Sequence, residues 1–135
     1  MTGPGKIRHI WTCNGTRNQS WTVGAASPYN GVYHQIKNKN GDCLGLNGGR
    51  VGQGTPVVAW TCQSTAKNQY WFHFYDTAVS QYVLCNLLQP CTPETKTGRV
   101  AGVAGGAVSN GARVVLWDNN GDQNQDWYCA SACTP

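Results

Sequence analysis

The chain has 135 residues, of which only 12% are charged and 17 are glycine. This length suits a single domain, and so low a charge argues against a disordered chain, which would be rich in charge and poor in aromatic residues. The net charge of +4 comes from scattered lysines and arginines, so we expect no nucleic-acid partner. No apolar segment reaches the roughly 18–20 residues of a membrane helix, and no membrane span is expected.

Four short segments in the middle of the chain alternate in the manner of β-strands. They cover residues 32–37, 43–46, 56–61 and 69–74. The sequences Asn40-Gly41 and Asn47-Gly48-Gly49 lie between them and are typical of hairpin turns. The pattern predicts an all-β fold in which a unit of four strands is the building block.

The six tryptophans fall in three pairs that mark an internal repeat. The pairs lie in IWTCNGTRNQSW (10–21), AWTCQSTAKNQYW (59–71) and LWDNNGDQNQDW (116–127), and each segment ends in Asn-Gln-x-Trp. Residues 41–60 also align with residues 98–117 without a gap. One unit cannot bury its own apolar face, so three units are expected to close around a pseudo-threefold axis.

The repeat predicts a β-trefoil that occupies residues 1–135 as one domain, with units at about 6–28, 29–77 and 78–129. The first unit is shorter than the others and lacks counterparts of its first two strands. Open strand edges favour pairing with further chain. Three alternatives are open: an upstream segment completes this unit, a second copy of the chain in a homodimer completes it, or the fold tolerates the gap.

Triplicate Gln-x-Trp, with Cys-Leu-x-Leu upstream and Trp-x-Cys between, resembles the ricin B-type lectin family. The same module is appended to many bacterial glycoside hydrolases as a carbohydrate-binding module. The resemblance covers essentially residues 6–129. It implies a β-trefoil whose partner is a glycan, with galactose-, xylose- or arabinose-type saccharides as the candidates.

The resemblance also implies which residues contact the sugar. Each site of the family uses an Asp after Cys-Leu, a polar residue two positions before the central Trp, that Trp as a platform for the apolar face of the sugar, and the Asn of Asn-Gln-x-Trp. In this chain the Trp and Asn positions are matched in every unit. The matching residues are Trp60 and Asn68, Trp117 and Asn124, and Trp11 and Asn18, and the first unit adds His9 at the polar position. The central tryptophans could equally pack on their hairpins, and the asparagines could equally form turns.

The acid of the family pattern is absent from both complete units. Gly45 and Gly102 stand at its position, and Val58 and Val115 stand at the polar position. Without a carboxylate a site loses about 1.5–3 kcal/mol of charge-assisted hydrogen bonding, so weak binding is expected. Two acids close to these positions, Asp42 and Asp118, are candidate substitutes.

The second Trp of each pair and the Gln before it are interpreted as residues that pack in the core and bond the backbone rather than contact a ligand. These residues are Gln19, Trp21, Gln69, Trp71, Gln125 and Trp127.

Seven cysteines favour an oxidising compartment, so we expect a secreted protein whose leader is not in this sequence. The resemblance implies a disulfide between Cys43 and Cys62, whose aligned positions in the third unit, Val100 and Asn119, both lack cysteine. Cys13 would pair with a residue of the segment that the first unit lacks. The remaining cysteines leave two patterns open, either Cys85–Cys129 with Cys91–Cys133 or Cys85–Cys91 with Cys129–Cys133.

No catalytic constellation is evident. The six acids lie mostly in predicted turns, whereas a glycosidase needs two carboxylates across one cleft. A Gly-x-Ser-x-Gly motif is absent. We therefore expect no enzyme activity, no cofactor and no metal. The alternative to glycan binding is a degenerate trefoil that acts as a protein-interaction or inhibitor scaffold, and Gly45 and Gly102 favour it.

Overall fold

The computed structural model of the chain describes residues 6–7, 21–38, 40–76, 81–89, 99–104, 113–119, 125 and 127. The strands in these residues are β1 (Lys6–Ile7), β2 (Trp21–Ala26), β3 (His34–Asn38), β4 (Asp42–Leu46), β5 (Val57–Thr61), β6 (Tyr70–Asp76), β7 (Gln81–Asn86), β8 (Arg99–Val103) and β9 (Val114–Asp118). Short 3₁₀ turns occupy Asn47–Gly49 and Lys67–Gln69. The all-β prediction is confirmed.

The strands form one antiparallel sheet in the order β1-β5-β4-β3-β6-β7-β8-β9, and β2 pairs with β3 as a branch from this path. Strands that follow each other in the chain are mostly neighbours in the sheet, which suits short hairpin connections. The four strands predicted in the second unit match β3 to β6 to within two residues. Gly48 and Gly49, with φ of 64° and 67°, make the turn after β4, because glycine adopts this left-handed backbone without steric cost.

The hairpin of β4 and β5 is repeated by the hairpin of β8 and β9. Cys43 pairs with Trp60 in the first hairpin, as Val100 pairs with Trp117 in the second. Every cross-strand pair from Asp42–Thr61 to Leu46–Val57 has its aligned counterpart from Arg99–Asp118 to Val103–Val114. The register is therefore the same in the second and third units.

The main core joins the second and third units. Its buried members are Ile36, Leu46, Val57, Trp71, Ala101, Val114 and Leu116. Trp21, Leu44, Val51, Leu84 and Trp127 are partly buried against this cluster. Burial of one large apolar side chain contributes about 1.5–3 kcal/mol, so side chains shared between units supply the drive to close them around one core. In the described part of the chain, no helix has the length and apolar character needed to cross a membrane.

Candidate functional site

Two tryptophans are exposed at matching places in the repeated hairpins. Trp60 near the end of β5 is 48% exposed, and Trp117 near the end of β9 is 44% exposed. Their cross-strand partners, Cys43 and Val100, are fully buried. Each hairpin therefore presents a large aromatic side chain to solvent from a strand that is anchored in the core.

A buried glutamine fixes the backbone directly after each exposed tryptophan. Gln69 donates from Nε2 to the carbonyl of Thr61 at 2.9 Å, and Gln125 donates in the same way to the carbonyl of Asp118 at 2.7 Å. Gln69 Oε1 also accepts the N–H of Gln63 at 2.8 Å. Both glutamines are 1% exposed, so each amide satisfies a backbone group that water does not reach.

In the second and third units, the second tryptophan of the pair donates a hydrogen bond to the first strand of the hairpin. Trp71 donates from Nε1 to the carbonyl of Leu44 at 3.1 Å, and Trp127 donates to the carbonyl of Ala101 at 3.0 Å. Trp71 is fully buried, whereas Trp127 is partly buried against the same core. The Gln-x-Trp sequence thus ties both strands of a hairpin to the body of the domain.

Asn68 occupies the space that a side chain at Gly45 would take. A Cβ at Gly45 would lie 3.1 Å from Asn68 Nδ2 and 3.2 Å from Gln69 Cγ. Asn68 Nδ2 donates to the carbonyl of Leu46 at 3.0 Å. Residues two apart share a strand face, and Trp60 is opposite Cys43, so Asn68 lies on the face that carries Trp60. Its Oδ1 accepts no hydrogen bond within the described part of the chain.

The third unit carries an ion pair where the second has none. Arg99 Nε lies 2.9 Å from Oδ1 of Asp118, the residue that directly follows Trp117 in the sequence. The aligned pair in the second unit is Asp42 and Thr61. The second unit is instead cross-linked next to Trp60 by the Cys43–Cys62 disulfide.

The sequence matches the family described as "Ricin-type beta-trefoil lectin domain" over residues 2–127. The chain belongs to this family. A search of curated protein sequences gives no significant match.

Solved structures support the trefoil fold of this lectin domain. The designed threefold-symmetric protein ThreeFoil aligns with a TM-score of 0.76 at 21% identity, over 93% of this chain and 81% of that one. An exo-β-1,3-galactanase from Clostridium thermocellum aligns with a TM-score of 0.72 at 24% identity, over 87% of this chain and 23% of that one. A mosquitocidal holotoxin aligns with a TM-score of 0.75 at 21% identity, over 93% of this chain and 14% of that one.

These findings confirm the predicted ricin B-type β-trefoil and make the chain a carbohydrate-binding domain by family. The lectin domain spans only a small part of the galactanase and of the toxin. The predicted Cys43–Cys62 disulfide is confirmed, and Cys85 is disulfide-bonded as well. The choice between the two patterns predicted for Cys85 stays open.

Three of the predicted contact residues lie in the described part of the chain: Trp60 and Asn68 on one face of the second unit, and Trp117 in the third. The other predicted residues lie outside the described part of the chain; they are His9, Trp11, Asn18, Gln19, Asn124, Cys13, Cys91, Cys129 and Cys133. At the family's acid and polar positions, Gly45 faces Val58 across the hairpin, and both are buried. No side-chain acceptor therefore comes from those two positions.

Sequence reasoning missed Tyr29, which lies beside the turn that follows Trp60. It is 49% exposed, its hydroxyl donates to the carbonyl of Thr65 at 3.3 Å, and the Lys67 ammonium lies 4.8 Å from its ring centroid. Beneath it, Tyr70 donates from its hydroxyl to the carbonyl of Ser64 at 2.8 Å. Burial raises the pKa of Tyr70, and the nearby Tyr29 raises it further. An aromatic residue in the turn sequence Ser-Pro-Tyr-Asn-Gly was the available signal for Tyr29.

Proposed function

We propose that this lectin domain binds saccharides on the exposed rings of Trp60 and Trp117. The observation that carries the proposal is the contrast within the tryptophan pairs of the second and third units. The second member is bound into the core, whereas the first is about half exposed on a rigid strand at the same register position. A sugar covers such a ring with its apolar C–H face while its hydroxyls meet polar groups at the rim.

Asn68 supplies the polar contact of the Trp60 site in this proposal. Its Nδ2 is held by the carbonyl of Leu46, which leaves Oδ1 as a neutral acceptor on the face of Trp60. A neutral acceptor forms weaker hydrogen bonds than a carboxylate. We therefore expect affinity lower by about 1.5–3 kcal/mol than that of a site with an acid at the position of Gly45.

The ligand class in this proposal is a neutral galactose-, xylose- or arabinose-type saccharide. Resemblance to the galactanase supports galactose as the first sugar to test. The domain acts by binding and not by catalysis, and it works outside the cytoplasm. Support for the compartment comes from the Cys43–Cys62 disulfide and from the disulfide-bonded Cys85.

The test is calorimetric titration with galactose, soluble xylan and arabinan. Trp60→Ala and Trp117→Ala should each weaken binding, and the double variant should abolish it. Val32→Ala is the matched control, because Val32 is an apolar side chain, 52% exposed, outside both hairpins. Flat titrations of the unmodified protein with all three sugars, together with a glycan array without hits, would show the proposal to be wrong.

The second candidate function is a trefoil that has lost sugar binding and serves as a protein-interaction or inhibitor scaffold. The buried Gly45–Val58 pair favours it, because no polar side chain stands where the family binds sugar hydroxyls. A pulldown distinguishes the two functions. The scaffold function is favoured if the unmodified protein binds no sugar and if the Trp60→Ala and Trp117→Ala variants still bind the protein partner.

A further inference from the structure

A segment of the second unit is paired to the outer side of the third unit's hairpin. Pro56 forms an antiparallel bridge with Val115. Leu116 donates its N–H to the carbonyl of Thr55 at 2.8 Å, and Gly54 donates its N–H to the carbonyl of Leu116 at 2.7 Å. Both of these bonds end on Leu116, so Thr55 and Gly54 together oppose this one residue, as in a β-bulge. Beyond the bulge, the side chain of Gln53 reaches the backbone of Asp118.

Gly54 keeps the space beside the Trp117 ring open. Its φ is 84°, a conformation that other residues rarely adopt. A Cβ at this position would lie 3.9 Å from Trp117 Cζ3 and would meet nothing closer. The edge of the exposed ring is therefore bordered by bare backbone of the neighbouring unit.

A polar network holds this junction together. Arg99 contacts Asp118 Oδ1 through Nε at 2.9 Å and donates from Nη1 to the carbonyl of Val51 at 2.6 Å. The N–H of Asp118 donates to Gln53 Oε1 at 3.1 Å. Asp118 remains 59% exposed. Within the described residues, Asp118 Oδ2 and Gln53 Nε2 have no hydrogen-bond partner. One acceptor and one donor are therefore available on two residues that are bonded to each other, one of which directly follows Trp117.

We propose that Trp117, Gly54, Gln53 and Asp118 form a saccharide subsite across the junction of the second and third units. The subsite takes a neutral sugar with two adjacent hydroxyls. The Trp117 ring covers the apolar face of the sugar, and the sugar extends past the exposed end of β9. There Asp118 Oδ2 accepts a hydrogen bond from one hydroxyl, and Gln53 Nε2 donates one to the other. Arg99 is a positioning residue, because it fixes the carboxylate and the neighbouring loop together.

This subsite rests on the proposed function and deepens it. The aligned family positions of the third unit, Gly102 and Val115, carry no polar side chain, so the junction supplies the missing contacts. The equivalent of Asp118 in the second unit is Thr61, and no carboxylate follows Trp60. The two tryptophan sites are thus expected to differ in their dependence on Asp118.

The experiment follows the indole N–H signals of Trp60 and Trp117 by two-dimensional NMR during titration with galactose, xylan and arabinan. Trp60→Phe and Trp117→Phe assign the two signals. Asp118→Asn keeps the shape and removes the charge, so the sugar affinity reported by Trp117 should fall about tenfold. Gln53→Ala should also weaken it. Thr61→Asn is the matched control in the second unit and should leave the Trp117 affinity unchanged.

The outcomes separate this subsite from the proposed function. Sugar-induced shifts at Trp60 alone, or a Trp117 affinity unchanged in Asp118→Asn, would overturn the subsite while leaving the proposed function standing. Shifts at neither indole with any of the three sugars would overturn both. A dispersed spectrum for each variant will show that it is folded. A Trp117 affinity that falls about tenfold in Asp118→Asn but is kept in Thr61→Asn supports the subsite.

Discussion

The β4–β5 hairpin of the second unit and the β8–β9 hairpin of the third have the same backbone register. They differ at the rim, by which we mean the residues next to Trp60 or Trp117 that link the two strands of the hairpin. Both have the same cross-strand register. In both, a buried Gln and the Trp that follows it in Gln-x-Trp donate hydrogen bonds to backbone carbonyls of the hairpin. The rim of one is cross-linked by Cys43–Cys62, whereas the rim of the other is held by the ion pair of Arg99 and Asp118. The shared core therefore sets the hairpin geometry, and the rim is free to change its chemistry without changing the fold.

The largest expected effect on the free energy of unfolding comes from the tryptophan of each Gln-x-Trp sequence, Trp71 in the second unit and Trp127 in the third. Trp71→Ala should lower the free energy of unfolding by about 3–5 kcal/mol, because it leaves a cavity and an unpaired carbonyl at Leu44. Trp127→Ala should cost less, because Trp127 is only partly buried. Urea denaturation followed by circular dichroism measures both, and equal costs would contradict the assigned difference in burial.

Exchange of the rim residues tests the covalent cross-link. Cys43→Val with Cys62→Asn gives the second hairpin the residues of the third. A disulfide across a sequence separation of 19 contributes roughly 3 kcal/mol, mainly by restricting the unfolded chain, so the variant should lose about that much stability. Denaturant midpoints measure the loss. The reciprocal variant, Val100→Cys with Asn119→Cys, should be stabilised, and a second variant destabilised like the first would contradict the shared geometry.

Alkaline pH should act on the second unit through Tyr70. Burial raises the folded-state pKa of this phenol above its ordinary value of 10.0. The stability that depends on the neutral phenol is therefore complete below pH 10 and is lost as the pH rises through the folded-state pKa. Tyr70→Phe should cost about 1 kcal/mol at neutral pH, because the carbonyl of Ser64 loses its donor.

The same variant should lose less stability than the unmodified protein between neutral and alkaline pH, as measured by urea denaturation across that range. The third unit has Asp126 at the aligned position, so it has no phenol there to titrate. A slope unchanged in Tyr70→Phe would assign the alkaline loss to another group, such as Tyr33, whose pKa burial also raises.

The smallest expected effect belongs to the ion pair of the third unit. Arg99 and Asp118 are 30% and 59% exposed, and ion pairs of this exposure contribute about 0.2–1 kcal/mol. Arg99→Met should therefore destabilise the domain by less than the disulfide exchange does. Its cost should shrink further in high salt, which screens the pair in the unmodified protein. A loss that salt does not reduce would point to the bond with Val51 instead.

The repeated backbone was readable from the sequence because its signals are local. Alternation and turn glycines located β3 to β6 to within two residues, and the gap-free alignment of 41–60 with 98–117 anticipated the common register. The rim contacts were not readable, because they join residues far apart in the chain. Arg99 reaches Val51 across 48 positions, and Asn68 lies over Gly45 only once the hairpin has folded. In the sequence Gly45 marks a lost acid, whereas in the structure the Asn68 amide fills the space of its missing side chain.

The glutamine below each hairpin has a consequence for how strongly a ligand can be held. Gln69 joins the N–H of Gln63 to the carbonyl of Thr61, so the backbone around Trp60 is already fixed before anything binds. A preorganised platform loses little conformational entropy when a ligand arrives, and most of the contact energy then appears as affinity. Shallow sites with few polar contacts can bind on these terms, provided that the ring does not have to be ordered first.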